Sequence, residues 1–313
     1  PQNPKTPNIS KNSIFIPFSH HLLKTTLKFL KKSQINPHQL YSNAKLKPEF
    51  SEDYLKSLLD ATTASLEGEA FDVIFNEKDA KKVNQAKDVD NVLASAVNFY
   101  GPDITNNDVE TFYAAKVSPN PNKPLSFGLN SQLVKENGVV KERVYKSGGL
   151  YGTAIDEIVK WLELAEGVAE NKAQGDALAL LISYYKTGDL QTWDDYNVAW
   201  TAATEGNIDY INSFIEVYND PLGYRGSYET IVQIKDFDMS AKMAVLSENA
   251  QWFEDNSPLM PEHKKKNVVG VSYKTVNVAG EAGDASPSTP IGVNLPNANW
   301  IRAEVGSKSV SLG

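Results

Sequence analysis

Cysteine is absent from the 313 residues, which excludes disulfides, iron–sulfur ligation and thiolate zinc sites and fits a reducing, cytoplasmic setting. Histidine is scarce: His20, His21, His38 and His263 form no i, i+4 pair and no HExxH. A metal site built from this chain alone would therefore have to be carboxylate-only. There is no GxSxG, no phosphate loop and no GxGxxG after a strand. No run of eighteen apolar residues occurs, so no transmembrane helix is expected. Acids are missing from residues 1–48, which carry eight lysines; the first acid is Glu49.

What is present is acidic. The formal net charge is −8, and the chain beyond residue 48 holds 23 basic against 39 acidic side chains. That bias argues against nucleic acid and favours cationic partners. Forty-one per cent apolar and 22% charged residues are ordinary for a globular protein, and the length suggests two subdomains or one large one. Residues 1–40 read as a basic leader, disordered or non-native, with no membrane role assigned. Residues 41–120 read as mainly helical, and 121–313 as strands with helices.

Ser51 caps a helix expected over about 51–66, with Gly68 closing it and Phe71–Phe75 a short apolar run after it. A weaker helix is expected near 90–99, and another over 107–117. The proline-rich stretch 118–124 should be a loop. Glu136-Asn137-Gly138 between 132–134 and 139–145 is the strongest hairpin signal in the chain. Three helices follow, over 151–169, 171–187 and 190–204, the last carrying Trp193, Tyr196 and Trp200, which read as core.

The chain is organised around 208–229. Ile211, Phe214, Ile215 and Tyr218 share one face of a short amphipathic helix, which Asn219-Asp220-Pro221 should stop. Glu216 would then sit in its last turn, where the helix dipole disfavours an anion. Gly223 and Gly226 bracket a turn, and 228–234 reads as a strand beginning near Glu229. A long helix is expected over 236–254 with Met239, Met243, Leu246 and Phe253 inward. Lys264–Lys266 reads as a solvated loop, 268–278 as a strand and 280–290 as a flexible loop.

Several separated stretches resemble one family. Phe214-Ile215-Glu216-Val217-Tyr218-Asn219-Asp220-Pro221-Leu222-Gly223 and Gly292-Val293-Asn294-Leu295-Pro296-Asn297 resemble the dipeptidyl peptidase III family of zinc exopeptidases, most closely its bacterial branch. Segments 126–131, 249–254 and 306–310 agree, and the similarity runs from about Tyr41 to Gly313. The resemblance implies an α+β fold: helices around a small β-barrel or antiparallel sheet, the barrel-bearing lobe of a two-lobed peptidase. The sequence contains no HExxGH, so the zinc-bearing lobe is expected to be missing, with zinc belonging to the complete enzyme and none bound by this chain.

By the same resemblance, Glu216, Tyr218, Glu229, Gly292, Asn294 and Asn297 bind substrate, short peptides with a free N-terminus. The acids would take the amine and the asparagines the peptide backbone. A peptide α-ammonium, with a pKa of about 7.7–8.0, suits a carboxylate pair. Without the resemblance, Asn294 and Asn297 beside Pro296 read equally well as turn formers. The expected function is peptide binding by one lobe of a dipeptidyl peptidase, inactive alone. The alternative is a non-catalytic peptide- or partner-binding protein derived from that lobe.

Overall fold

A computed structural model describes residues 48–61, 71, 74–76, 83–268, 274–286 and 290–311. The basic leader 1–40 and Gly68 lie outside the described residues. The chain divides into two compact units, Pro1–Lys81 and Lys82–Gly313. Within the first, α1 (Glu52–Asp60) starts where Ser51 Oγ accepts the Tyr54 N–H at 3.1 Å. Phe75 packs edge-on against Phe50 at 5.9 Å.

In the second unit, α2 (Asn106–Ala114) opens on a capping box between Thr105 and Asp108. Strands β1 (Ser131–Glu136) and β2 (Val139–Val144) form the expected hairpin, with Asn137 and Gly138 both at positive φ in the turn. Helices α3 (Gly152–Glu166), α4 (Lys172–Thr187) and α5 (Leu190–Ala202) follow as read. Asn171 and Asp189 cap the last two. Gly188 closes α4 at φ +73°, where a Cβ would also stand 2.5 Å from Val144.

The expected helix over 208–218 is instead strand β3 (Ile208–Glu216). It pairs antiparallel with β4 (Ser227–Lys235), which pairs with β5 (Val276–Gly283). The error has a physical cause. Phe214 and Ile215 are adjacent and both buried, because both sides of β3 are covered near its end. A strand buried on two faces loses its alternation, and its apolar residues then match a helical spacing by accident. The β-branched Ile208, Ile211, Ile215 and Val217 favoured the strand.

Other expectations also change. Residues 90–99 form turns rather than a helix, because Asp90, Asn91 and Asn106 side chains take up the backbone groups a helix would use. The helix over 236–254 breaks at Asn249 into α6 (Phe237–Glu248) and α7 (Ala250–Asp255). Met239, Leu246 and Phe253, read as inward, are exposed. Strand β5 runs into the stretch expected to be a loop. Gly283 makes that possible: at φ +68°, its Cβ would stand 2.0 Å from the Tyr228 carbonyl oxygen.

Strands β6 (Gly292–Leu295) and β7 (Lys308–Ser311) pair antiparallel around α8 (Asn299–Glu304). The Leu295–Pro296 peptide is cis. The architecture is α+β, with described strands in antiparallel sheets of two, three and two; closure into a barrel is not seen among the described residues. The main core joins α3, α4 and α5 to β3 and β4, and a second cluster packs Tyr100, Ile104, Val109, Tyr113 and Leu133.

Candidate functional site

A cavity of about 650 Å³ opens between α2, α5, β3 and the turn after β6. Its walls are aromatic and aliphatic: Tyr113, Phe127, Trp193, Tyr196, Trp200, Ile211, Ile215 and Leu295. The charged groups among its lining residues are two carboxylates, Glu110 and Glu216. Such a space suits a cationic or apolar group better than an anion.

Glu216 reaches this cavity because β3 bulges. Phe214 pairs with Tyr228, but the next pair is Glu216 with Ser227, so Ile215 is the extra residue. In a regular strand Ile215 would face Ser227 and Glu216 would point away. The bulge puts Glu216 opposite Ser227, on the same side of the sheet as Glu229 two residues along β4. Glu229 itself lies opposite Ser213 and Gly283 and is 3% exposed.

Glu229 is the unusual group. Its Oε1 is buried without a hydrogen-bond partner. Burial, then the charges of Glu216 and Asp284, raise its pKa to about 7. Glu216, half-buried, is raised as well, mainly by burial, against the pull of Asn297 and Arg302. Asp284 is held beside them by Asn219 Nδ2, which donates to its Oδ2 at 2.8 Å, and by its own N–H donating to Tyr228 at 2.9 Å. The three acids thus form one negative cluster, with Arg302 the cation that acts on Glu216.

The turn that follows β3 is fixed by Asp220. Its carboxylate accepts from the backbone N–H groups of Leu222, Tyr224 and Arg225 and from the Tyr100 hydroxyl, at 2.8–3.1 Å. Arg225, fully buried, lies over the Tyr100 and Tyr113 rings and donates from Nη1 to Tyr113 and Gly128. This scaffold holds Tyr218, Gly223 and Tyr224 at the cavity wall.

The other expected residues fall into two groups. Asn297 and Tyr218 line the cavity; Asn297 Nδ2 donates to Glu216 Oε2 at 3.5 Å, and Tyr218 is 80% exposed. Asn294 and Gly292 lie on β6 and are not among the lining residues. Asn294 accepts from Ser309 Oγ at 3.1 Å, and Gly292 allows a close approach of Val310, whose carbonyl oxygen would be 2.8 Å from a Cβ. Sequence reasoning missed Trp193, Tyr196 and Trp200, which are core residues as expected and wall residues too. Asn197, one turn from Trp193, was the available signal: a polar side chain among aromatics on a helix.

Among the described residues no group of three or more His, Cys, Asp or Glu is arranged to hold a metal ion. The described side chains do not fit a zinc site. No described helix is long and apolar enough to cross a membrane.

Fold and cavity together define an α+β protein with an acidic, aromatic-walled pocket beside an antiparallel sheet. Residues 67–313 match Peptidase family M49. The chain belongs to that family. It is 30% identical over 183 residues to dipeptidyl peptidase 3 of Nematostella vectensis, covering 58% of this chain and 25% of that protein. It is 30% identical over 165 residues to the Homo sapiens dipeptidyl peptidase 3, covering 53% of this chain and 22% of that one. The match therefore spans a quarter or less of these relatives. The structure of DPP III from Caldithrix abyssi superposes with a TM-score of 0.57 at 20% identity, covering 94% of this chain and 56% of that chain. That likeness carries the fold alone.

Proposed function

We propose that this chain is the substrate-binding part of a dipeptidyl peptidase of the M49 family, gripping the free N-terminus of a short peptide. The observation that carries this is Glu229: a carboxylate with a bare, buried oxygen next to two further acids. Such a group is costly unless a cation meets it. An α-ammonium entering beside Glu216 supplies that cation and forms charge-assisted bonds. Asn297 can donate and accept at once, as an extended peptide backbone requires. Two extended residues reach roughly 7 Å, so fixing the amine fixes the second peptide bond. In the complete enzyme, zinc held elsewhere would supply Lewis-acid activation of that bond.

Asn294 and Gly292 support this role from outside the pocket, by setting how β6 meets β7. The alternative is a non-catalytic peptide- or partner-binding protein derived from that lobe. Both readings share the amine site. Calorimetric titration of a free-amine tetrapeptide against its acetylated form tests it: the acetylated peptide should bind at least tenfold more weakly. Equal affinities overturn the assignment of Glu216 and Glu229. Hydrolysis of a dipeptidyl arylamide by the purified 313-residue chain with added zinc would overturn its description as a binding part alone.

A further inference from the structure

Beside the cavity, the turn Pro296–Ala298 runs directly into α8, which carries Trp300. Leu295 and Ile301 pin this stretch into the core at its two ends, both almost fully buried. Its polar ties are weaker. Asn297 reaches Glu216 only at 3.5 Å, and Glu304 pairs with Lys123 at 2.6 Å in an exposed position.

The remaining contact is buried and incomplete. Asp194 on α5 is 2% exposed, and its Oδ2 lacks a hydrogen-bond partner. Trp300 Nε1, equally shut off from solvent, lacks one too. A buried acceptor and a buried donor left apart each carry a desolvation cost that closing the gap would recover. The two are neighbours without a formed hydrogen bond: the indole N–H is close enough to act against the rise of the Asp194 pKa, and both atoms still lack a partner. The Lys123 ammonium lies 4.4 Å over the same indole ring. Trp300 does not line the cavity itself, but its contacts lie on three segments that do. Trp193 and Asn197 lie one residue before and three after Asp194 on α5, Leu125 is two residues beyond Lys123, and Asn297 is three before Trp300.

We propose that Asp194 is a positioning residue for peptide binding: by drawing the Trp300 indole N–H, it sets where the Pro296–Ala298 wall stands and so where Asn297 meets the peptide. This rests on the peptide-binding reading above. The groups facing Asp194 are Asp195 on its own helix and Trp300 from α8, while Lys123 and Glu304 pair beside the indole. Burial first, then Asp195, raise Asp194 to about 7, against the effect of Trp300. The carboxylate accepts the indole N–H more strongly than the protonated acid does. The wall is thus held more firmly above neutrality than below.

The test compares wild type with Asp194→Asn, which keeps an acceptor and removes the charge, using the free-amine tetrapeptide tetraalanine. Taking the ratio of the two dissociation constants at each pH cancels the titration of Glu229 and of the peptide amine. The ratio should be near one at about pH 5.5 and about fivefold at about pH 8.5, the gap between a neutral and a charge-assisted bond. Trp300→Phe, which keeps the ring and loses the N–H, should show the same pH-dependent ratio and carries the test should Asp194→Asn fail to fold. A ratio equal at both pH values overturns the proposal. Should the wild type bind no peptide at either pH, the function reading falls by itself. The Trp300 indole N–H resonance then decides the latch: a titration near pH 7 that Asp194→Asn abolishes supports it, and a flat wild-type resonance overturns it.

Discussion

Glu216 and Glu229 stand on the same side of neighbouring antiparallel strands only because Ile215 is squeezed out of register between Phe214 and Glu216. The charge of Glu216 is, after burial, the largest influence raising Glu229. Two like charges held together, Glu216 lining the cavity and Glu229 buried and not among the lining residues, are a standing electrostatic cost that a cation beside Glu216 would relieve.

Substitution should separate the two acids by their surroundings. Glu229→Gln removes the buried charge, and Glu216→Gln the half-buried one. Each should weaken free-amine tetrapeptide binding by roughly ten- to a hundredfold, the loss of a bond to a charged group. Binding of the acetylated peptide should change little. Isothermal titration of both peptides against both variants measures this, and a uniform loss on both would point to misfolding instead.

The affinity should be bell-shaped in pH. Glu229 must be ionised, so binding strengthens as pH rises through about 7. The peptide amine must be protonated, so binding weakens as pH passes about 7.7–8.0. Titrations in buffers of differing ionisation enthalpy should show proton release on binding below the maximum and uptake above it. A monotonic profile would disagree with the amine site.

Stability of the ligand-free protein should fall as pH rises from about 4.5 to about 7. Glu229 has a folded-state pKa raised from 4.5 to about 7, so the folded state binds the proton more tightly than the unfolded one. The penalty is absent below about pH 4.5, grows between about 4.5 and 7, and is complete above that. Glu229→Gln should therefore stabilise the ligand-free protein at pH 8 by ~2–3 kcal/mol and change it little at pH 4. Urea unfolding at the two pH values checks the sign.

Arg225 should behave in the opposite sense. It is fully buried, lies over Tyr100 and Tyr113, and joins the β3–β4 turn to Gly128. Arg225→Ala should cost ~3–5 kcal/mol, the scale for emptying a large buried side chain and leaving its hydrogen-bond partners unpaired, while the backbone bonds to Asp220 remain. Chemical denaturation measures the loss. Arg225→Lys should recover part of the loss, because Nη1 alone makes the bonds to Tyr113 and Gly128 and an ammonium can make both, while the planar stacking on the two rings is lost.

The Asn137-Gly138 hairpin, the Gly188 stop and the Ser51 cap were legible from the chain, because each depends on one or two residues' local geometry. The candidate acids were legible only through resemblance; their spacing along the chain suggested a helix end and a strand start. Strand β3 hid its identity because both its sides are covered, and Asn249 broke a helix that periodicity ran through.

By itself the sequence determined the elements made by short-range rules, the absence of thiolate chemistry and the acidic balance of the chain. Only the tertiary structure decided that a bulge turns Glu216 toward Glu229, that three helix-borne aromatics line a cavity, and that Asp194 faces Trp300. Such pairings join residues far apart in the chain, and local backbone preference carries no information about which buried groups will meet.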